Sequence, residues 1–527
     1  MNRGAAPAGR ISILLALIPC ALRFAWLACL LLSSSVLALG EAPRWFAGGR
    51  PTRDAIEAVQ LLEASAQDGL EPSDYQAERL ARRIDAAARG PGLDMAEQAV
   101  LTMVFELGLE SLISDMQRGR VEPRAAHAAF GAAPQAIDAD AYLRGALARH
   151  ELRSAIDALR PRLPQYARLM RALARYRALE AEPALQGPLP PLHGKSVASG
   201  DAYEGVPRLG RRLAALGDLP AWNDQDTRYE GAVVDGVKAF QARHGLSPDG
   251  VLGRRTLAEL NVPIASRIRQ ITLTMERLRW TPLLLNARMI VVNVPEFKLH
   301  AYELREGGVH LSMSVVVGRA IKTGTPLFVE ELRAIEFSPY WNIPASIARR
   351  ETVPTLLRDP GYFEREGLEF VGAHGQPVRE LSRVNLDAVL RGAMRIRQRP
   401  GPRNALGDIK FIFPNNDDIY LHHSPDVELF ERDRRDFSHG CIRVEDPVAL
   451  AKFVLAQQPE WTEDRIRAAM AAGKMSALRL TYPIPVLIAY GTALAKADGK
   501  VYFFSDIYGN DTLLEQALRA RKLPNQP

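Results

Sequence analysis

The hydrophobic periodicity of this 527-residue chain changes once, near residue 286, and that change limits the folds open to it. Ahead of it, apolar residues such as Ile56, Val59 and Leu62 recur at the spacing of one helix face. Past it they come in short β-rich runs: Arg288 to Val294, Lys298 to Glu303, Leu311 to Val317, Ala334 to Phe337, Ile409 to Phe413 and Ile419 to His422. Two more follow, Ala477 to Thr481 and Val486 to Ala493. Gly307-Gly308 reads as the turn between the second and third runs. Consecutive strands without intervening helices argue against a doubly wound sheet and predict a mixed or antiparallel sandwich. The expected class is a multidomain α+β protein with a helical front and a β-rich back.

The chain divides accordingly, and its length allows each part a core. Residues 1–40 have a basic start (Arg3, Arg10), an apolar run (Ile11 to Leu22) and a small-residue exit (Ala38-Leu39-Gly40), the layout of an export signal or an uncleaved membrane anchor. Residues 41–182 predict a helical scaffold domain, with helices over about Ala96 to Gln117 and Tyr166 to Leu179. Pro and Gly mark 183–207 as a linker. Residues 208–263 read as a small three-helix module, in which Val233, Val237 and Phe240 share a face and Ser247-Pro248-Asp249-Gly250 makes a turn. A bridging helix occupies 264–285, the β-rich domain 286–495, and a C-terminal segment 496–527. Inside the β-rich domain, 346–394 interrupts the strand pattern with helical and loop signals. Arg395, Arg397, Arg399 and Arg403 follow it, read either as a solvated charge run or as receptors for carboxylates.

Chemistry concentrates between Tyr420 and Arg443. Of three cysteines, Cys20 and Cys29 lie in the apolar leader, so an exported and processed chain keeps only Cys441. A lone thiol in an exported protein points to reactivity rather than to a disulfide. It becomes a nucleophile as a thiolate, which needs a base and a positive field. His422, His423 and His439 are the candidate bases, and Arg443 is a nearby cation. Gly440 lets backbone N–H groups approach a developing oxyanion. From the residues alone, His439 and His422 both qualify as the base: the first shares a strand face with Cys441, and the second ends a neighbouring strand. A zinc site of His422, His439 and Cys441 lacks the fourth ligand and paired spacings of structural sites. The net charge of +6, partly in the leader, gives no case for nucleic acid.

A histidine, a gap and then Ser438-His439-Gly440-Cys441 resembles the signature of the L,D-transpeptidases, the YkuD-type enzymes that cross-link bacterial peptidoglycan. Lys238-Ala239-Phe240-Gln241 with Asp249-Gly250-Val251-Leu252-Gly253 resembles the three-helix peptidoglycan-binding module. Gln117 to Pro123, Ser338 to Pro344 (with Trp341) and Val501 to Gly509 are similar to large periplasmic members. One departure is His423, where large members often carry an acidic residue. The resemblance implies that His422 is the base, oriented by the backbone carbonyl of His423, with His439 in support. It places Ser438, Arg443, Tyr420 and Trp341 among the substrate-binding residues and makes 346–394 a lid over the cleft. It also implies peptidoglycan stem peptides as substrates, acylation by carbapenems, other wall synthases as partners, a periplasmic location, and no cofactor or metal. A Cys441 thioester then passes to an acceptor amine as a 3→3 cross-link. An L,D-carboxypeptidase, a protein-to-peptidoglycan ligase and a non-catalytic wall-binding scaffold are the alternatives.

Overall fold

The computed structural model describes residues 44–127, 130, 135–224, 227–281, 288–303, 308–321 and 323–521. The leader with Cys20 and Cys29, residues 282–285 of the bridging segment, Gly307 of the expected turn and residues 522–527 lie outside them.

The front of the chain is helical because its apolar residues line single faces between strong end signals. The longest helix, Met95–Arg118, starts at an Asp94/Glu97 capping box and buries Leu101, Phe105, Leu109, Leu112 and Met116. It packs with Arg53–Ala64 and Ala77–Arg89 around Trp45, Leu62 and Tyr75. The helix Val206–Leu216 joins Ala232–Arg243 and Arg254–Leu260 in a second core holding Leu209, Val233, Val237 and Phe240. Segment 183–207, expected to be a linker, is not a free tether. Leu189, Val197 and Tyr203 are buried in that second core, and Ser196–Val197 pairs with Leu252–Gly253. Its Pro and Gly residues shape an irregular path over a surface that its sparse apolar residues then fill.

The bridging helix, Ile264–Trp280, clamps these parts together through buried charge. Glu276 accepts from Arg120 (3.1 Å) and Arg279 (2.8 Å), and Arg279 also reaches the Tyr166 hydroxyl at 2.9 Å. Arg277 pairs with Asp511 of the terminal helix Asn510–Ala520 at 2.5 Å. Removing one partner of such a buried pair strands the other charge, at about 3–5 kcal/mol.

Among the described residues, nine strands build the main sheet of the back domain: β1 Arg288–Asn293, β2 Lys298–Glu303, β3 Gly308–Gly318, β4 Phe328–Phe337, β5 Ile409–Ile412, β6 Leu421–His422, β7 Asp436–Ser438, β8 Ile442–Val444 and β9 Ser476–Ala489. Their order is β7-β3-β8-β6-β5-β4-β9-β1-β2, and β2 also pairs with β3. The sheet therefore curls back on itself around a core including Val315, Ile335, Phe411, Leu421 and Ile442. Pairing is mixed: β6–β8, β7–β3 and β9–β1 run parallel and the rest antiparallel. The two runs expected near the C-terminus are one strand, β9. Pro483 and Pro485 cannot donate to a ladder, and the register slips between Arg479 and Ile484 without ending the strand.

The insertion is more than helix and loop. Its helices pack on a separate four-stranded sheet, ordered Pro377–Val378, Leu368–Val371, Arg395–Gln398, Trp341–Asn342, with a core of its own around Phe363, Phe370 and Ile396. The structural unit thus runs from Trp341 to Gln398, wider than 346–394.

Candidate active site

The site lies where β6 and β8 run side by side. In parallel strands, residues in register share a face, and Leu421 pairs with Ile442 while His422 pairs with Arg443. Leu421 and Ile442 point into the core and are fully buried. Alternation sends His422 and Arg443 to the opposite face. Tyr420 and Cys441 lie just ahead of the two strands, where the Ile442 N–H donates to the Tyr420 carbonyl at 3.0 Å and the Tyr420 side chain meets the thiol. The Tyr420 and His422 rings meet edge to face, with centroids 5.8 Å apart.

Cys441 is half-buried in the turn between β7 and β8. The turn is held by Ser438, whose Oγ donates to the Cys441 carbonyl (2.5 Å) and accepts from the Gly440 N–H (3.1 Å). Gly440 has φ +125°, and a Cβ there would stand 3.1 Å from Ile419 Cδ1, so the turn needs glycine. The Thr325 hydroxyl fixes the turn from outside by donating to the Gly440 carbonyl at 2.7 Å. The Cys441 N–H has no hydrogen-bond partner among the described residues.

The thiol donates to the Asp418 carbonyl at 3.5 Å, and no hydrogen bond joins it to His422 or His439. Asp418 was not singled out from sequence. It sits at φ +53° at the end of a turn in which Asn415 Oδ1 accepts from the Asp417 and Ile419 N–H groups. The run Asn415-Asn416-Asp417-Asp418 is the signal that could have found it. Lys410 was also missed. Its ammonium lies 4.1 Å from the Tyr420 ring centroid, and its charge favours the Cys441 thiolate. A lysine inside the apolar strand Ile409–Ile412 marks the face that looks onto the site.

His422 is buried, and its Nδ1 meets the His423 carbonyl at 2.5 Å. A carbonyl only accepts, so Nδ1 carries the proton and Nε2 holds the free lone pair. Burial, and then the Arg443 charge, pull its pKa down to about 3. Burial pushes the Cys441 thiol up from 9.0. Both shifts favour the neutral thiol and the neutral imidazole. Because the folded imidazole resists protonation, the unfolded chain binds the extra proton between pH 6.5 and about 3, and stability falls as pH drops through that window. For the same reason acylation of Cys441 is expected to hold a constant rate from about pH 5 to about pH 8, with no limb at the ordinary histidine value. A stopped-flow pH profile with a small β-lactam checks this, and a limb near pH 6.5 contradicts it.

His439 points elsewhere. Its Nε2 lies 2.8 Å from Glu351 of the insertion, in the turn Ala348–Thr352, and ties that insertion to the motif. Arg443 is engaged by Asp426 at 2.5 Å and Ser424 at 3.1 Å, so its guanidinium is held in a structural pair. The His423 ring flanks Gly407, where a Cβ would stand 2.4 Å from its Nδ1. Trp341 packs on the core of the insertion. The arginine run is also internal: Arg397 pairs with buried Glu369 (2.6 Å), and Arg399 and Arg403 reach Glu364 (3.8 Å) and Glu366 (3.5 Å). Among the described residues no group of three His, Cys, Asp or Glu side chains is placed to hold a metal ion.

A cysteine, a histidine with a fixed tautomer and a free backbone donor suit acyl transfer. Family comparison agrees: residues 287–470 match the model described as "L,D-transpeptidase catalytic domain". The chain carries an L,D-transpeptidase catalytic domain. Ahead of this transpeptidase domain, residues 38–173 match a "Scaffold domain" and 203–260 a "Putative peptidoglycan binding domain". A Haemophilus influenzae protein described as "Putative L,D-transpeptidase" is 31% identical over 301 residues, 56% of this chain and 60% of that one. The match thus spans under two thirds of the relative. The crystal structure of an L,D-transpeptidase from Xylanimonas cellulosilytica aligns at 16% identity and TM-score 0.17, over 57% of this chain and 100% of that one. One from Stackebrandtia nassauensis aligns at 12% identity and TM-score 0.24, over 57% and 97%.

Proposed function

We propose that the transpeptidase domain joins peptidoglycan stem peptides into 3→3 cross-links through a thioester on Cys441. The observation that carries this reading is the Tyr420 ring, which meets the Cys441 thiol on one side and the His422 ring edge to face on the other, with the imidazole tautomer set by the His423 carbonyl. The donor carbonyl, that of the third residue of a tetrapeptide stem, approaches Cys441. As the sulfur attacks, His422 Nε2 takes the thiol proton, and the pair tightens only once substrate is bound. The Cys441 N–H, with the Tyr420 hydroxyl as second donor, holds the oxyanion. The C–N bond then breaks, His422 returns the proton to the departing D-alanine amine, and the acyl group stays on sulfur. An acceptor side-chain amine on another stem, such as that of diaminopimelate, attacks the thioester and releases the thiol.

The peptidoglycan-binding domain match agrees with an extracytoplasmic place of work. Among the described residues no helix is long and apolar enough to cross a membrane. Mass spectrometry of products from purified enzyme and disaccharide-tetrapeptide substrate tests the proposal. The expected product is a 3→3 dimer with loss of one D-alanine per bond formed. Tripeptide monomers alone identify water as the acceptor and make the protein an L,D-carboxypeptidase. Unchanged substrate identifies a non-catalytic wall-binding protein.

A further inference from the structure

A cavity of about 780 Å³ lies away from Cys441, in the seam between the three-helix module and the transpeptidase domain. The module contributes Ser247 and Arg255, which converge on Asp433 across the seam, Arg255 at 2.8 Å. The other walls are Phe297, Lys298 and Glu431–Arg435, together with Lys496, Tyr502 and Ile507 near the C-terminus.

Its charge is unbalanced. The carboxylates are mostly spoken for: Asp433 by Arg255, Glu259 by Arg267 at 2.6 Å, and Glu296 by His300 at 3.0 Å and Lys496 at 3.6 Å. The cations are not. Arg432 lies over the Phe437 ring at 5.1 Å, and neither it nor Lys298 has a carboxylate partner among the described residues. Arg435 gives its Nη groups to the carbonyls of Phe430, Arg432 and Phe297, while its buried Nε has no partner. Of the lining carboxylates Glu431 alone has no ion-pair partner among the described residues, and Glu445, Asp433 and Glu296 act on Arg435 from further away. A cavity with surplus guanidinium and ammonium groups beside aromatic rings is suited to carboxylates on a short peptide.

The cavity also has a fixed relation to the nucleophile. β7, Asp436–Ser438, starts directly after Arg435 and leads into the turn that holds Cys441, six residues on. On the opposite wall, Ile507 precedes Tyr508, whose hydroxyl donates to the Gly318 carbonyl (2.6 Å) and accepts from the Thr325 N–H (3.2 Å). Thr325 is the residue that braces Gly440. A glycan chain carries its stems in series, so a stem on the cavity cations and a neighbouring stem at Cys441 can belong to one polymer.

We propose that this seam cavity, through Lys298, Arg432 and Arg435, binds the carboxylates of a second, non-reacting stem peptide on the glycan chain whose neighbouring stem is presented to Cys441. The proposal rests on the peptidoglycan reading above and extends it: the module and the transpeptidase domain hold the polymer jointly, and polymer binds tighter than a single stem because the second contact is intramolecular.

The test uses the full chain as Cys441→Ala, so that no turnover occurs, titrated with soluble uncross-linked glycan chains bearing tetrapeptide stems and with the same chains stripped of peptide by an amidase. Lys298→Ala and Arg432→Ala, singly and together, are expected to weaken binding of the stem-bearing chains by about tenfold for each cation removed. Lys298→Arg is expected to restore it, and added salt to narrow the difference. The stripped chains are expected to bind all variants alike. Unchanged affinity for stem-bearing chains overturns the proposal, as does an equal loss on stripped chains, which makes the cavity a sugar site. In the Cys441 background, the same substitutions are expected to leave acylation by a small β-lactam unchanged. Absence of any acylation refutes the Cys441 mechanism while the titration still decides the cavity.

Discussion

Incubated with a carbapenem, the chain is expected to gain the mass of one adduct on the peptide containing Cys441, and Cys441→Ala to gain none. A strained acyl group tests the nucleophile without requiring the correct stem peptide, so the result separates a live site from a retained fold. The substitution is mild for the structure, since the thiol makes only the 3.5 Å contact with the Asp418 carbonyl and a contact with the Tyr420 side chain. Turn geometry is set by Ser438, Gly440 and Thr325, none of which needs the sulfur. A stability change on the order of 1 kcal/mol is expected by thermal unfolding, against complete loss of the adduct. The neutral resting thiol sharpens the test further. Burial raises its pKa, so a simple alkylating agent reacts slowly at pH 7 while a substrate-like acyl donor, seated beside His422, reacts fast. An adduct on Cys20 or Cys29, or equal reactivity toward both reagents, removes Cys441 from its role.

The split between helical front and β-rich back was legible because each element carries its period locally. Met95–Arg118 shows its apolar face and its Asp94/Glu97 box within one stretch of sequence, and Lys298–Glu303 alternates cleanly. What the sequence hides is pairing over distance. Pro483 and Pro485 look like a strand end, yet β4 holds both halves of β9 across the slip in register. The arginines after the insertion look like open receptors, yet Glu364, Glu366 and Glu369, some thirty residues earlier, occupy three of them. The Pro/Gly segment before the module looks like a tether because its core residues, Leu189, Val197, Tyr203 and Val206, show no period. Within the site, Cys441 and the histidines stand out by residue type. Asp418 acts through its main chain, and Glu351 lies 88 residues from His439, so neither carries a local mark.

The two histidines are expected to separate by orders of magnitude. His422→Ala should slow carbapenem acylation by about 10²–10⁴-fold, the span of a positioned general base, whereas His439→Ala and Glu351→Ala should each cost about tenfold or less. The asymmetry follows from what each ring faces. His422 is buried with Nε2 as the free lone pair, and its low pKa keeps that lone pair available at any working pH. His439 lies nearer the surface with its Nε2 turned to the Glu351 carboxylate, so it fastens the insertion rather than receiving the thiol proton. Its loss should raise KM for stem peptides more than it lowers kcat, and Glu351→Ala should reproduce that pattern because the two residues form one contact. Truncating a buried imidazole also opens a cavity, so His422→Gln serves as the fuller replacement. Its side chain fills most of the space but cannot accept a proton near neutral pH, and a deficit as large as alanine's, with unfolding temperature held, assigns the loss to proton transfer. Full activity in His422→Gln together with a silent site in His439→Ala reverses the assignment and moves the base to the motif histidine.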